Sequence, residues 1–240
     1  MKSPRRVSLS PAFVLHHYAY RDTSRIVEAF TAEHGRISLF ARGVTGPKSG
    51  LRAALRPFQR LLLSWSGKSD ACQLQGAEAD GEPTILPPAR LMSGFYLNEL
   101  LLKLTLRADP HPRIFDSYGE AVRSLCAEED EESVLRRFEK RLLDELGYGL
   151  QLANTDEGRR IEPTMYYRFT PQSGPQPCVA DAPGAVYGQS LADLDAEVFA
   201  DARSLRDAKR LLRAAIDECL EGRTLMSRRI MLDLRRRERA

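Results

Sequence analysis

Residues 25 to 44 read Arg25-Ile26-Val27-Glu28-Ala29-Phe30-Thr31-Ala32-Glu33-His34-Gly35-Arg36-Ile37-Ser38-Leu39-Phe40-Ala41-Arg42-Gly43-Val44. Ile26, Glu28 and Phe30 alternate with Val27, Ala29 and Thr31, the period of two that a strand with two different faces requires. Glu33-His34-Gly35-Arg36 supplies a turn, and Ile37 to Val44 supplies the returning strand, so the stretch predicts a β-hairpin.

Working outward, Ser10 to Tyr20 is rich in aromatic and β-favouring residues, and strands are expected again at Phe58 to Ser66 and Cys72 to Ala79. Five short strands in about eighty residues suit a small closed barrel, and the OB-fold is the barrel of that size most used for nucleic acid. Strand order itself cannot be read from the pattern. Pro83, Pro87 and Pro88 then interrupt the chain, and the periodicity becomes helical.

Helices are expected at Leu91 to Leu106, at Ile114 to Cys126, and through Val134, Phe138 and Leu142 up to a Gly147 cap, the third starting in the acidic run Glu128 to Glu132. Asn154 to Gln189 reads as a loop-rich insert with strand fragments at Met165 to Phe169 and Ala185 to Tyr187. Helix returns at Leu191 to Phe199, at Ser204 to Gly222 with Ser204 and Asp207 as a capping pair, and from Leu225 to about Arg236. The class is therefore α+β. Residues 1 to 82 form a barrel domain, and residues 83 to 240 form a mainly helical domain with the insert at about 150 to 190.

The chain's net charge of +3 conceals a segregation. Residues 1 to 69 carry 12 Lys and Arg against 3 Asp and Glu; residues 70 to 222 carry 17 against 28; residues 223 to 240 carry 7 against 2. A basic block of this density suits a polyanion, because neutralising phosphates releases condensed counterions. A solvated Arg-rich surface would give the same tally. The 42% hydrophobic share is that of a chain with an ordinary core.

Catalytic patterns are missing. Cys72, Cys126, Cys178 and Cys219 are far apart with no CxxC, and His16, His17, His34 and His111 have no ligand spacing. In the loop Arg42 to Gly50, Pro47 stands between Gly46 and Lys48, where a phosphate loop needs Gly directly before Lys. Free thiols in a reducing compartment, no signal peptide and no apolar run of membrane length point to the cytoplasm. Among the aromatics of the basic block most must fill the barrel; Tyr18 and Trp65 are the candidates for stacking on a base.

A family comes into view in an ordered series: Asp22-Thr23-Ser24, His34-Gly35-Arg36, Ala41-Arg42-Gly43, Leu55-Arg56-Pro57-Phe58, Ser93 to Leu100 (SGFYLNEL), Leu135-Arg136-Arg137-Phe138-Glu139, Leu146-Gly147-Tyr148-Gly149 and Leu225-Met226-Ser227-Arg228. Together these stretches resemble the RecO family and span nearly the whole chain. The resemblance implies an OB-fold followed by a helical domain, binding of single- and double-stranded DNA, and annealing of complementary strands without enzymatic activity. It also implies partnership with RecR, and with the tail of single-stranded DNA-binding protein, in loading RecA within the RecF pathway, in the cytoplasm and on the nucleoid. Many members carry a four-cysteine zinc site between the Gly147 region and the late helices; only Cys178 stands there in this chain, so no zinc or other cofactor is expected.

Residues assigned to DNA are Arg5, Arg6, Arg36, Arg42, Lys48, Arg52 and Arg60. Those assigned to an acidic, Phe-ended partner tail are Arg136, Arg206, Lys209 and Arg210, since a terminal carboxylate pairs best with arginine beside an apolar pocket. Two alternatives stand beside this reading: a nucleic-acid hydrolase with irregular spacing, and an OB-fold RNA-binding or regulatory protein.

Overall fold

The computed structural model describes residues 5–44, 51, 54–68, 71–170 and 173–238. By packing, the chain divides into two compact units, Met1–Glu129 with Leu225–Ala240, and Asp130–Thr224. The boundary read at residues 82 and 83 marks the change from strand to helix; the packing division lies further on, because two helices and the final one belong with the barrel.

In the first unit, β1 (Arg5–Tyr20), β2 (Ser24–Thr31), β3 (Gly35–Ala41), β4 (Arg60–Lys68) and β5 (Ala71–Ala79) close into a barrel in the order β1-β2-β3-β5-β4. Closure is made by a short parallel pairing of β3 with β5 at Leu39↔Cys72 and Phe40↔Gln73, the other ladders being antiparallel. The alternation in the sequence places Val27, Ala29, Leu39, Ala41, Leu61, Leu63 and Trp65 inside. Trp65 is only 4% exposed and packs edge-on against His34, so it fills the barrel and is not available to stack on a base.

β1 changes character along its length. Its ladder with β2 slips between Val14 and His16, leaving Leu15 without a partner there. A bulge of this kind admits one extra residue. Before it, Phe13 and Leu15 face outward and are buried; after it, His16, Tyr18 and Tyr20 face outward and are exposed. Phe13 and Leu15 are covered by α1 (Leu91–Leu104) and α2 (Pro112–Cys126), with the Phe13 ring 5.0 Å from Phe115 and 4.8 Å from Tyr118.

One buried side chain joins all three elements. Asn98 of α1 donates to the Leu15 carbonyl at 2.9 Å and accepts from the Tyr118 hydroxyl of α2 at 2.6 Å. Burial pushes the Tyr118 phenol far above its ordinary range, so it remains a donor.

After α1 the chain returns to the barrel, where Ala108 N–H donates to the Arg36 carbonyl at 3.0 Å. Gly35 makes this approach possible. Its φ is +63°, and a Cβ there would drive into the Asp109 backbone. The chain's end also belongs here: α6 (Met226–Glu238) starts on Glu99 of α1, whose carboxylate accepts from Met226 N–H and Ser227 N–H, both at 2.8 Å. A carboxylate complements the positive end of a helix dipole.

The second unit holds α3 (Glu131–Glu145), a small sheet ordered β7-β6-β8 (β6 Tyr166–Thr170, β7 Gly174–Cys178, β8 Ala185–Tyr187), α4 (Gly188–Ala196) and α5 (Ala202–Cys219). Asp130 caps α3 by accepting from Ser133 N–H at 2.8 Å, as the acidic run predicts. α5 begins earlier than the sequence suggests. Its cap is Asp201, which accepts from Ser204 N–H at 2.8 Å, and the Ser204 hydroxyl is turned inward to Asp193. β7 was hidden by Pro175 and Pro177, which are tolerated because it is an edge strand.

Replacing Asn98 by Ala removes the donor to the Leu15 carbonyl and the acceptor of the Tyr118 hydroxyl in a buried setting, which should cost about 2–4 kcal/mol in chemical denaturation. Tyr118→Phe should cost less, and the double variant less than the sum, because the two share one bond. Gly35→Ala should destabilise by at least about 2 kcal/mol, through the strain of a left-handed residue and displacement of the 105–109 segment; an unchanged denaturation midpoint would contradict that account.

Candidate nucleic-acid interface

The outward rows of β1, β2 and β3 form one surface. Tyr18 stands opposite Ile26, and Ile26 opposite Phe40; one step along, His16 stands opposite Glu28, and Glu28 opposite Ser38. Apart from His16, these residues line, with Tyr20, Leu39, Cys72 and Arg107, an open cleft of about 520 Å³. Tyr18 is 51% and Tyr20 39% exposed.

Cations surround the rings. The Arg21 guanidinium lies 5.4 Å from the centre of the Tyr20 ring, and that of Arg42 lies 5.6 Å from the centre of the Phe40 ring. Such placement is favourable because the ring face carries negative potential. At the cleft floor the Glu28 carboxylate, almost fully buried, is held by Ser38 Oγ at 2.5 Å, Arg107 Nη2 at 2.8 Å and Arg36 Nη1 at 3.5 Å. Two guanidiniums share one carboxylate. The cluster keeps an excess positive charge, and Arg107 presents it outward with its side chain 44% exposed.

The residues assigned to DNA from sequence divide in the structure. Arg6 on β1 and Arg42 after β3 are exposed. Arg36 lies on the outward row but is covered, its side chain 14% exposed, donating to the Thr105 carbonyl at 3.1 Å as well as pairing with Glu28. Burial, then repulsion from Arg107, pulls the Arg36 guanidinium below its ordinary value, with Glu28 opposing. Arg60 pairs with Asp80 at 2.6 Å and lies over the Phe115 ring. Lys48, Arg52 and the side chain of Arg5 lie outside the described residues.

The cleft adds residues that the sequence reading passed over: Arg21, Arg107, Tyr20 and Phe40. Tyr18 and Tyr20 two apart, with Arg21 next, was the available signal. Arg107 gave none, since it reaches Glu28 from far along the chain. Burial, then His17, lowers the His16 imidazole below its ordinary value, with Glu28 opposing, which disfavours its cationic form.

In the second unit, the four residues assigned to a partner tail lie on α3 and α5, which pack against one another. Arg136 is buried and pairs with Glu139 at 2.8 Å, and its Nε has no hydrogen-bond partner among the described residues. Lys209 of α5 reaches Glu132 of α3. Arg210 donates to the Ala185 carbonyl at 2.7 Å, and Arg206 is exposed. Among the described residues, no group of three or more His, Cys, Asp or Glu is placed to hold a metal, and no helix is long and apolar enough to cross a membrane.

Comparison with known proteins agrees with the geometry. The family model described as Recombination protein O N terminal matches residues 6–79, which are the barrel, and Recombination protein O C terminal matches residues 88–229. The chain is 42% identical over 232 residues to the DNA repair protein RecO of Burkholderia pseudomallei (95% of this chain, 84% of that one). It is 41% identical over 237 residues to that of Aromatoleum aromaticum (98% and 99%), and 42% over 228 residues to that of Methylococcus capsulatus (95% and 94%). Matched by the family's models in both halves and by such relatives over nearly its full length, the chain belongs to the RecO family of DNA repair and recombination proteins.

Proposed function

We propose that this chain is a non-enzymatic mediator of the RecF recombination pathway, working in the cytoplasm on the nucleoid: it binds single- and double-stranded DNA, anneals complementary strands, and with RecR helps load RecA onto DNA coated by single-stranded DNA-binding protein. The observation that carries the reading is the segregated charge, 12 Lys and Arg against 3 Asp and Glu in residues 1 to 69, on a barrel with exposed arginines and rings. Annealing needs no reacting group. Two strands held by their phosphates on a basic surface repel one another less, and pairing follows.

Contacts to phosphate fall to Arg6 and Arg42, with Arg5, Lys48 and Arg52 as further cations of the same block. Arg36 and Arg60 serve it indirectly, by holding the barrel to the segments that carry Thr105 and Asp80. The partner tail, acidic and Phe-ended, would be taken by the α3–α5 surface. Arg206 and Arg210 are its exposed cations, and the Nε–H of the buried Arg136 has no acceptor among the described residues. A carboxylate arriving at such a site forms charge-assisted hydrogen bonds.

Reversing charge at Arg6 and Arg42 together should weaken binding of single strands, and should flatten the slope of log K against log salt by about 1 for each phosphate no longer neutralised. An unaltered slope would remove these two residues from the interface. On strands coated with single-stranded DNA-binding protein, annealing should be faster with the chain present. Arg206→Glu should abolish the acceleration with full-length coating protein, while on bare strands it changes nothing. Equal performance with tail-deleted coating protein would sink the docking assignment.

A further inference from the structure

We propose that the exposed apolar row of α6, continued onto α1, is a docking surface for an acidic amphipathic helix of a partner protein. It is neither the barrel face nor the α3–α5 surface, and it needs no DNA.

Three observations carry it. First, α6 leaves large apolar side chains in water. Met226, Ile230 and Leu234 are 45%, 43% and 45% exposed, and their i, i+4, i+8 spacing sets them in one row along the helix. The neighbouring row does the packing, with Ser227 buried and Met231 half-buried. A contiguous exposed apolar strip rimmed by polar residues marks an interaction site.

Second, the row continues onto α1. Glu99 accepts from the N–H groups of Met226 and Ser227, which fixes the start of α6 beside it. One and two turns earlier on the same face of α1 stand Phe95 and Leu91, 42% and 38% exposed. Arg228 ties the two helices again, donating to the Tyr96 hydroxyl at 3.2 Å with its guanidinium 5.5 Å from the centre of that ring. Two joined helices with apolar side chains left uncovered form a ledge on which a third helix can pack, ridge into groove.

Third, the flank selects the charge of the occupant. Arg229 and Arg236 are exposed beside the row, and residues 223 to 240 carry 7 Lys and Arg against 2 Asp and Glu. A second copy of this chain would bring two such basic segments together. DNA would pair with the arginines but leave the apolar row uncovered, because phosphates present charge and no apolar surface to it. A lipid surface needs the apolar side chains on one face, whereas Leu232, 48% exposed, lies on the opposite side of α6 from Ile230, and the exposed Asp233 borders the row. An acidic helix with its own apolar stripe covers the row and brings carboxylates to Arg229 and Arg236 together.

The test uses the full chain and a fluorescent synthetic peptide of about 18 residues, with leucines at i, i+3, i+4, i+7 spacing and glutamate and alanine elsewhere. The control peptide has the same composition with its leucines spread round the helix, so its charge is matched. The wild type should bind the amphipathic peptide at least about tenfold more tightly than the control. Ile230→Ser/Leu234→Ser should remove that preference, and Arg229→Glu/Arg236→Glu should weaken binding of both peptides by at least about tenfold. Ile230→Leu/Leu234→Ile keeps an apolar row and should bind as the wild type does, which answers the case in which the serine variant does not fold. Affinity of the serine variant for a single DNA strand should stay within about twofold of wild type.

Equal affinity for the two peptides, or a serine variant that retained the preference, would overturn the docking surface while leaving the DNA-binding reading in place. A leucine–isoleucine exchange that lost the preference would overturn it too. So would phosphatidylglycerol vesicles, or DNA, whose binding fell in the serine variant while that of the amphipathic peptide did not; the row would then serve a lipid or nucleic-acid surface.

Discussion

The hydrogen bond from Asn98 to the Leu15 carbonyl is the constraint on which the first unit turns. A bulge frees a carbonyl from its ladder, and in a buried setting that carbonyl needs a donor. Asn98 supplies it and is itself held by Tyr118, so one side chain secures the strand and both covering helices. Because the bulge shifts the alternation by one residue, β1 has two outer faces in succession. The first, Phe13 and Leu15, is apolar and lies under α1 and α2; the second, His16, Tyr18 and Tyr20, meets solvent beside the cleft. The surface that interests function and the core that supports it are set by the same irregularity.

Electrostatics follows a similar division of labour. Glu28 is one of only three acidic residues in residues 1 to 69, and it is buried between Arg36 and Arg107. There it fixes the hairpin to the segment after α1 and keeps its own negative charge off the outer surface. In the second unit the opposite sign prevails, and its arginines and lysines are mostly committed to local carboxylates, as in Lys140–Asp144 and Arg141–Glu197. The net charge of the chain hides this arrangement.

What was legible in the sequence was what depends on short-range pattern. The alternation of Ile26 to Thr31, the turn before Gly35 and the helical i, i+4 spacing of Val134, Phe138 and Leu142 depend on neighbours within a few residues, and each element appears in its place. The family resemblance is carried partly by structural residues. Gly35, Asn98 and Ser227 lie in the quoted stretches, and each proves to hold a joint. Illegible were pairings across long separations. Arg36 looked like a surface cation because Thr105 and Arg107 are some seventy residues away. Trp65 looked available because nothing in its strand announces that it packs beside His34. Asp201 lost the cap to Ser204 in the reading because the inward bond of Ser204 to Asp193 cannot be seen locally.

The return of α6 to Glu99 has a consequence for the order in which this molecule is built. The acid that starts the last helix is translated more than a hundred residues before the amides it receives, and the whole of Asp130–Thr224 emerges in between. That middle segment is contiguous and can mature while still tethered to the ribosome. The barrel unit, although its first part emerges earlier, is discontinuous and cannot be complete until the segment from Leu225 has emerged as well. The part made earliest is finished last.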